Sequence, residues 1–308
     1  MHRYFLSRVL QSVLLLLGVV VLVFFMVRIT GDPASLMMPR NATPEQIEAF
    51  REAMGFNRPL IVQFWDFFTH ALVGDFGNSL HFKSPALPLV IERLPATLEL
   101  ATAAMLMAIL IGVPLGLLGG FSPGSVLDSL ARLVGLLGQS IPNFWLALIM
   151  ILVFAVRLGW FPSFGRDEWK SVVLPAFALG LATMGQIVRL TRSSTLEIRS
   201  EDFIRTAHSK GLLPRTIYTK HVLRNVAIPL VSIIGVQFGY MLGGSIYIEF
   251  IFAWPGIGQL LEQAIGWRDF PMVQAIAVFT SVAVLALNLL TDAAYMIIDP
   301  RIRYGIRE

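Results

Sequence analysis

Six stretches of the chain are long and apolar enough to cross a hydrocarbon core of about 30 Å, which takes ~20 helical residues. They are residues 9–27, 97–120, 132–156, 173–191, 226–248 and 272–298. The third is interrupted by Gln139-Ser140-Ile141-Pro142-Asn143, and Pro114 offers a kink in the second. Between the first two, residues 34–95 are mixed and loop-rich, with Pro39, Pro44, Pro59, Pro85, Pro88 and Pro95. Thr43 can cap a short helix over 44–54, with Glu45 in its first turn. Residues 60–72 form a second amphipathic stretch, too short to span, which reads as interfacial or packed on the bundle. Gly74-Asp75-Phe76-Gly77 lacks the Gly-Lys-Ser/Thr ending of a phosphate loop and reads as a turn. Two ridges of small residues, Gly112/Gly116/Gly120 and Gly235/Gly239/Gly243, predict close helix contacts. A short interfacial helix is expected within 249–270.

The longest polar run of the C-terminal two-thirds is 200–229. Ser200 suits an N-cap, and Glu201 and Asp202 suit the positive end of the helix dipole. Phe203, Ile204 and Ala207 then share one face, an apolar ridge expected to be exposed. Gly211 suits the left-handed position after a helix, Pro214 the first turn of the next, and Ile217, Tyr218 and Val222 continue an apolar stripe.

With 56% apolar and only 14% charged residues, against roughly a quarter charged in soluble domains, the chain is an integral membrane protein. It has no cysteine, which excludes disulfides, thiolate metal sites and cysteine nucleophiles. The first apolar run is longer than a secretory signal's and has no small-residue cleavage site, so it reads as an uncleaved span. Fourteen of the 24 Lys and Arg residues fall in the segments that a cytoplasmic N-terminus would place inside, and the outside segments are much longer. That bias predicts both termini cytoplasmic and 34–95 outside.

No catalytic constellation is present. Among His2, His70, His81, His208 and His221 no pair has zinc-protease spacing, and neither a Gly-x-Ser-x-Gly elbow nor a Walker loop occurs. No catalytic or metal residue is therefore assigned, and the energy for active transport must come from another chain or a gradient. Glu99 and Glu249 are expected near interfaces, solvated; Asp292 reads as a polar clasp between helices, with a proton site as its alternative. Gln139, Ser140, Asn143, Gln186, Gln237 and Ser245 lie near apolar centres. They either line a pathway or form interhelical hydrogen bonds worth ~0.6 kcal/mol each. The 200–229 run can be a basic loop that only sets topology. A DNA-reading helix-turn-helix boxed between spans could hardly reach a groove, so no nucleic acid is expected.

The run resembles a known loop. Arg205-Thr206-Ala207, three residues, then Gly211 is similar to the E-A-A-x-x-x-G loop of ABC importer permeases. His221-x-Leu223-Arg224-Asn225 to Pro229 resembles the peptide and nickel branch of that family, as do Arg205 in place of Glu and Leu223-Arg224 in place of Leu-Pro. Gly31-Asp32-Pro33 and the 74–79 turn resemble the B-type member of its permease pair. Trp254-Pro255-Gly256-x-Gly258, Arg268-Asp269-x-Pro271 and the closing Asp299-Pro300-Arg301-x-Arg303-Tyr304 extend the likeness over nearly the whole chain.

The resemblance implies an all-α type I importer permease of six transmembrane helices with an extracytoplasmic insert after the first. The divisions are a helix at 1–30, the insert at 31–95, a core at 96–299 with a coupling loop at 193–225, and a cytoplasmic tail at 300–308. It implies a bacterial inner-membrane subunit that works with a second homologous permease, two ATPases and an extracytoplasmic binding protein. It would carry peptides or a related small solute by alternating access, binding no cofactor itself, while ATP and Mg serve the ATPases. Its coupling helix would comprise Glu201, Asp202, Phe203, Ile204, Arg205, Thr206, Ala207, His208, Ser209, Lys210 and Gly211. A self-sufficient carrier or channel is the rival, and it would not need an exposed apolar ridge. An intramembrane enzyme is disfavoured by the missing catalytic set.

Overall fold

In a computed structural model, residues 2–29, 32–38, 41–213 and 216–298 are described. Gly31, Pro214, the closing Asp-Pro-Arg motif and the side chains of His208, His221 and Asp292 lie outside that description. The helices are α1 (His2–Ile29), α2 (Pro33–Met37), α3 (Pro44–Ala53), α4 (Leu60–Leu72), α5 (Ala86–Phe121), α6 (Val126–Ser140), α7 (Asn143–Met150), α8 (Val173–Arg199) and α9 (Asp202–Ser209). They continue as α10 (Leu223–Gly244), α11 (Ile246–Ile251), α12 (Ile257–Gly266) and α13 (Phe270–Ile298). Single π-helical turns, Ile151–Arg157 and Ile217–Val222, follow α7 and precede α10.

Five described helices are long and apolar enough to cross a membrane, and a sixth span arises if the bent pair α6–α7 counts as one. The pair turns by 106° at Ile141-Pro142. Ile141 is extended (φ −93°, ψ 121°), as the residue before proline prefers, and Pro142 has no N–H to carry the ladder through. The interruption expected within the third span, 132–156, is thus a sharp change of direction. In the other direction, α5 begins at Ala86, so 86–95 is helix and not loop. Pro88 sits in its first turn, where no N–H is needed, and Pro95 forfeits one bond of a 36-residue helix.

The contacts divide the chain into two compact units. The first holds the residues up to Ala96 together with Pro255–Ala286. Within it α4 packs on α1 through aromatic rings, Phe24 lying 5.3 Å from Phe64 and 5.8 Å from Phe67. Thr43 and Gln46 form a reciprocal capping box on α3. Asp32 caps α2, accepting from Ala34 and Ser35 N–H groups, and its 2.7 Å pair with Arg51 holds its carboxyl below the usual carboxylate range. Ala86, Val90, Leu260, Ala264, Met272 and Ile276 form the apolar core of this unit. Residues 74–86 are a turn, as expected, closed by Ser79 N–H on Ser84 O and Ala86 N–H on Gly77 O. It is latched by Ser79 Oγ donating to the buried Asp269 at 2.5 Å.

The second unit holds Thr97–Trp254 and the chain from Leu287. Its centre is α8, whose buried residues run from Leu174 to Thr195. The first glycine ridge is where α5 meets α8: a Cβ on Gly112, Gly116 or Gly120 would strike Ile187, Thr191 or Thr195, one turn apart each. The second ridge is only partly of this kind. Gly235 packs on Thr291, but a Cβ on Gly243 would meet nothing within 4 Å among the described residues.

Glu99 is solvated as expected and paired with Arg166. Glu249 is not: it is fully buried, accepting from Thr97 Oγ1 at 2.9 Å and Ser245 Oγ at 2.8 Å. Hydroxyl donors from α5 and α11 make burial affordable where apolar neighbours alone would not. Glu249→Leu removes the acceptor that Thr97 Oγ1 and Ser245 Oγ share, a loss of about 1–3 kcal/mol. Thermal unfolding of the purified protein should fall by several degrees, while Glu249→Gln, which retains an acceptor, falls less. Equal melting of Glu249→Leu and wild type would refute the clasp.

Candidate functional site

The 200–222 segment is built as two pieces folded against each other. Ser200 does not cap the second helix; it closes the preceding one, in αR conformation, with Oγ donating to Glu197 O at 2.6 Å. The chain then turns on Glu201, whose carbonyl accepts from Ile204 and Arg205, and α9 begins at Asp202. Asp202 stands in the first turn, as the dipole favours. Lys210 N–H bonds Thr206 O, and Leu212 N–H reaches back to Ala207 O at 3.3 Å across Gly211. This six-to-one closure needs a left-handed residue, and Gly211 supplies it at φ +71°.

The apolar ridge is divided. Ile204 and Ala207 are buried within the chain (3% and 5% exposed), where α9 packs against the turn that carries the buried Ile217 and Val222. Only Phe203, 42% exposed, faces outward, with Leu212 and Leu213 beyond the helix end and Glu201, Asp202, Arg205, Thr206, Ser209 and Lys210 around it. The expectation that all three ridge residues are exposed is therefore corrected. An eight-residue helix cannot hold itself in water, and burying two of its apolar side chains internally is what fixes it. The following turn is anchored in turn to the end of α5. Tyr218 stacks on Phe121 at 3.7 Å, and Arg199 Nη1 donates to Phe121 O. Movement of α9 is thereby mechanically tied to α5 and α8.

A second feature of this unit is a cavity of about 810 Å³ between α6, α8 and α10. Gln139, Gln186 and Arg189 line it together, with Arg132, Arg192 and Ser193. Gln237 adjoins through its amide, which donates to Gln186 Oε1. Ser140 and Asn143 flank the α6–α7 break, away from the cavity lining, and Ser245 is buried in the Glu249 clasp. Three of the six polar residues singled out in the sequence thus come together.

What sequence reasoning missed is the crossing that opens this cavity. Gly138 and Gly185 meet backbone to backbone: a Cβ on Gly138 would lie 2.6 Å from Leu181 O and 3.1 Å from Gly185 Cα. Gly135 leaves room for the Arg189 stem. The missed signal was the pair of glycines three apart on α6. Asp128 was also missed. It is buried, bonded to Arg192 Nε and Gly124 N–H, and 3.5 Å from Arg132. Its spacing of four residues before Arg132 was the available cue. No group of three or more His, Asp or Glu suited to a metal occurs among the described residues.

Residues 112–304 match the family described as binding-protein-dependent transport system inner membrane component, and residues 1–101 match its N-terminal companion. The glutathione transport system permease protein GsiC of Salmonella typhimurium is 39% identical over 305 residues, covering 99% of this chain and 100% of that one. The proteins of the same name in Pectobacterium atrosepticum and Escherichia coli K12 are each 38% identical with the same coverage. The inward-facing MetNI methionine ABC transporter superposes with TM-score 0.57 at 23% identity, over 68% of this chain and 96% of that one. An amino acid ABC transporter crystallised with histidines gives 0.54 at 18%, over 68% and 94%. These two likenesses carry the fold, that of a type I importer permease, and the end-to-end relatives carry the family. The chain belongs to the binding-protein-dependent transport system inner membrane components: it is a multi-pass permease subunit of an ABC importer, and the hydrolysis of ATP belongs to its partner ATPases.

Proposed function

We propose that this subunit forms half of the pathway of a peptide importer, as the B-type member of a permease pair, and passes short peptides or glutathione-like solutes inward. Two ATPases carry the ATP and Mg, and an extracytoplasmic binding protein delivers the solute. The relatives named for glutathione transport favour a peptide-like cargo. The cavity favours it too, since amides at Gln139 and Gln186 suit peptide bonds and Arg132 and Arg189 suit a carboxylate.

The observation that carries the reading is α9. It is a short helix held rigidly by its own inner face and its Gly211 closure, and it presents Phe203 outward. That is the form of a lever that docks in an ATPase groove. In this reading both termini and α9 lie in the cytoplasm and the insert lies outside, as the distribution of Lys and Arg favours.

Orientation is tested by single cysteines in the cysteine-free chain at two exposed positions, Glu52 and Ser209. In intact cells an impermeant maleimide should label Glu52→Cys and spare Ser209→Cys until the membrane is opened. Labelling of both from the same side would refute this topology. Cargo is tested by transport into proteoliposomes containing the whole importer: labelled glutathione and dipeptides should compete, and free amino acids should not.

A further inference from the structure

A second cavity, of about 830 Å³, lies entirely among residues of the first unit, between the end of α1, the α3–α4 corner, the 74–83 turn and the start of α13. One face of α4 lines it with Gln63, Asp66, Phe67 and His70, at the i, i+3, i+4, i+7 spacing that puts residues on one side of a helix. The charges along that face are sorted. At the Gln63 level, Arg28 donates from Nη2 (2.7 Å) and Nε (3.3 Å) to Gln63 Oε1 and from Nη1 to Phe24 O. Its guanidinium is stacked 3.5 Å over the Phe24 ring. Gln63 in turn donates to the carbonyl of Arg58, which also lines the cavity, as does Lys83 on the turn that carries Asp75.

Further along, the sign reverses. Asp66 stands one turn on, where the His70 ring reaches back to it, Nδ1 lying 2.7 Å from Asp66 O and 3.7 Å from its Oδ1. Asp75 follows at the His70 level, its N–H bonding His70 O and its Oδ1 accepting from Gly77 N–H. Between the two ends the lining is aromatic: Phe24, Phe67 and Phe76 stand in series, at ring separations of 5.8 and 6.5 Å. Seven residues at 1.5 Å rise separate the Gln63 and His70 levels by about 10 Å, with Asp66 between them. An extended peptide covers about 3.3–3.6 Å per residue, so three residues span the same distance.

We propose that this cavity is a binding site for a zwitterionic peptide about three residues long, with its carboxylate against Arg28 and Arg58, its ammonium against Asp66 and Asp75, and an apolar side chain over Phe67. The half-buried, stacked and hydrogen-bonded Arg28 is the preorganised end. The solvent-open acidic end is the weaker one, so the carboxylate governs affinity. The site is distinct from the Gln139–Gln186 cavity, which is lined by residues of the other unit. It stands whatever solute crosses the membrane, because its own charges define the ligand.

The test uses the assembled importer in lipid nanodiscs without its binding protein, titrated calorimetrically with Ala-Phe-Ala, its C-terminal amide and its N-acetyl form. Ala-Phe-Ala should bind. The amide should bind at least about tenfold more weakly, as loss of a charge-assisted bidentate contact implies, and the N-acetyl form only severalfold more weakly. Arg28→Gln should weaken the tripeptide at least about tenfold. Should that variant fail to assemble, Arg58→Gln, at an exposed position, should give the same direction of change. Equal affinity for acid and amide, wild-type affinity in both arginine variants, no binding at millimolar peptide, or a co-purifying phospholipid that peptide does not displace would each overturn the proposal. Failure here leaves cargo transport untouched, since that is read separately in proteoliposomes with the binding protein present.

Discussion

Gly116→Leu should sharply reduce recovery of a stable, folded subunit. A Cβ at this position would lie 2.6 Å from Thr191 Cβ and 2.8 Å from Val188 O, so α5 and α8 must separate before any leucine rotamer fits. Overpacking of a closed core costs typically 1–3 kcal/mol, occasionally more, and a clash with backbone belongs at the upper end because no side chain can swing aside. That is a large part of the 5–15 kcal/mol by which domains are stable. Because α8 is the buried centre of its unit, the damage reaches both the cavity and the anchorage of α9. The check is detergent-solubilised yield and thermal unfolding, with Gly243→Leu as the companion, since a Cβ there meets nothing within 4 Å among the described residues. Gly116→Leu should lose most monodisperse protein and Gly243→Leu should retain its own fold. Equal yields and melting temperatures for Gly116→Leu and wild type would mean that the α5–α8 contact does not govern the fold.

The contrast between these glycines also marks how far the sequence could be read. Spacing at four identifies a face of small residues but not whether a helix lies against it. Gly112, Gly116 and Gly120 turned out to meet α8, while a Cβ on Gly243 meets nothing within 4 Å among the described residues. Hydropathy located the apolar runs and the break near 139–143. It could not see that Pro142 turns the chain by 106°, because the angle depends on what α7 packs against. It also read 34–95 as loop-rich to its end, since prolines count as breakers wherever they stand, although Pro88 is harmless in a first turn. For the site, Gly211 was legible because only one backbone conformation explains a glycine there. The direction of the Ile204–Ala207 face was not. Amphipathic period shows that a helix has two sides, and only the tertiary contact with Ile217 and Val222 shows that the apolar side is covered by this same chain. Glu249 failed for a related reason: its hydroxyl partner Thr97 is 152 residues away in sequence.

Two substitutions on α9, four residues apart, should fail by different routes. Ala207→Asp places a carboxylate at a site that is 5% exposed and turned into the chain. An unpaired buried charge costs several kcal/mol even after relaxation, so the packing of α9 on the 217–222 turn should be lost. Phe203→Asp alters a side chain already 42% exposed and should leave that packing intact. Its effect should fall on docking alone. Removing a phenyl ring from a desolvated groove forfeits about 1.5–3 kcal/mol, and each 1.4 kcal/mol is tenfold in an equilibrium constant, so docking should weaken by about ten- to a hundredfold. Limited proteolysis separates the two: Ala207→Asp should expose cleavage sites around 200–213, and Phe203→Asp should not.

If α9 transmits ATPase closure to the spans, stimulation of ATP hydrolysis by loaded binding protein depends on its docked face. The complete importer is assembled in nanodiscs with wild-type or Phe203→Asp subunit, and the amount of bound ATPase is measured alongside. Phe203→Asp should insert and resist proteolysis like wild type, yet lose most of the stimulation and most of the retained ATPase. Wild-type stimulation and full ATPase retention in Phe203→Asp would contradict this transmission and leave the 200–222 segment as a topological anchor.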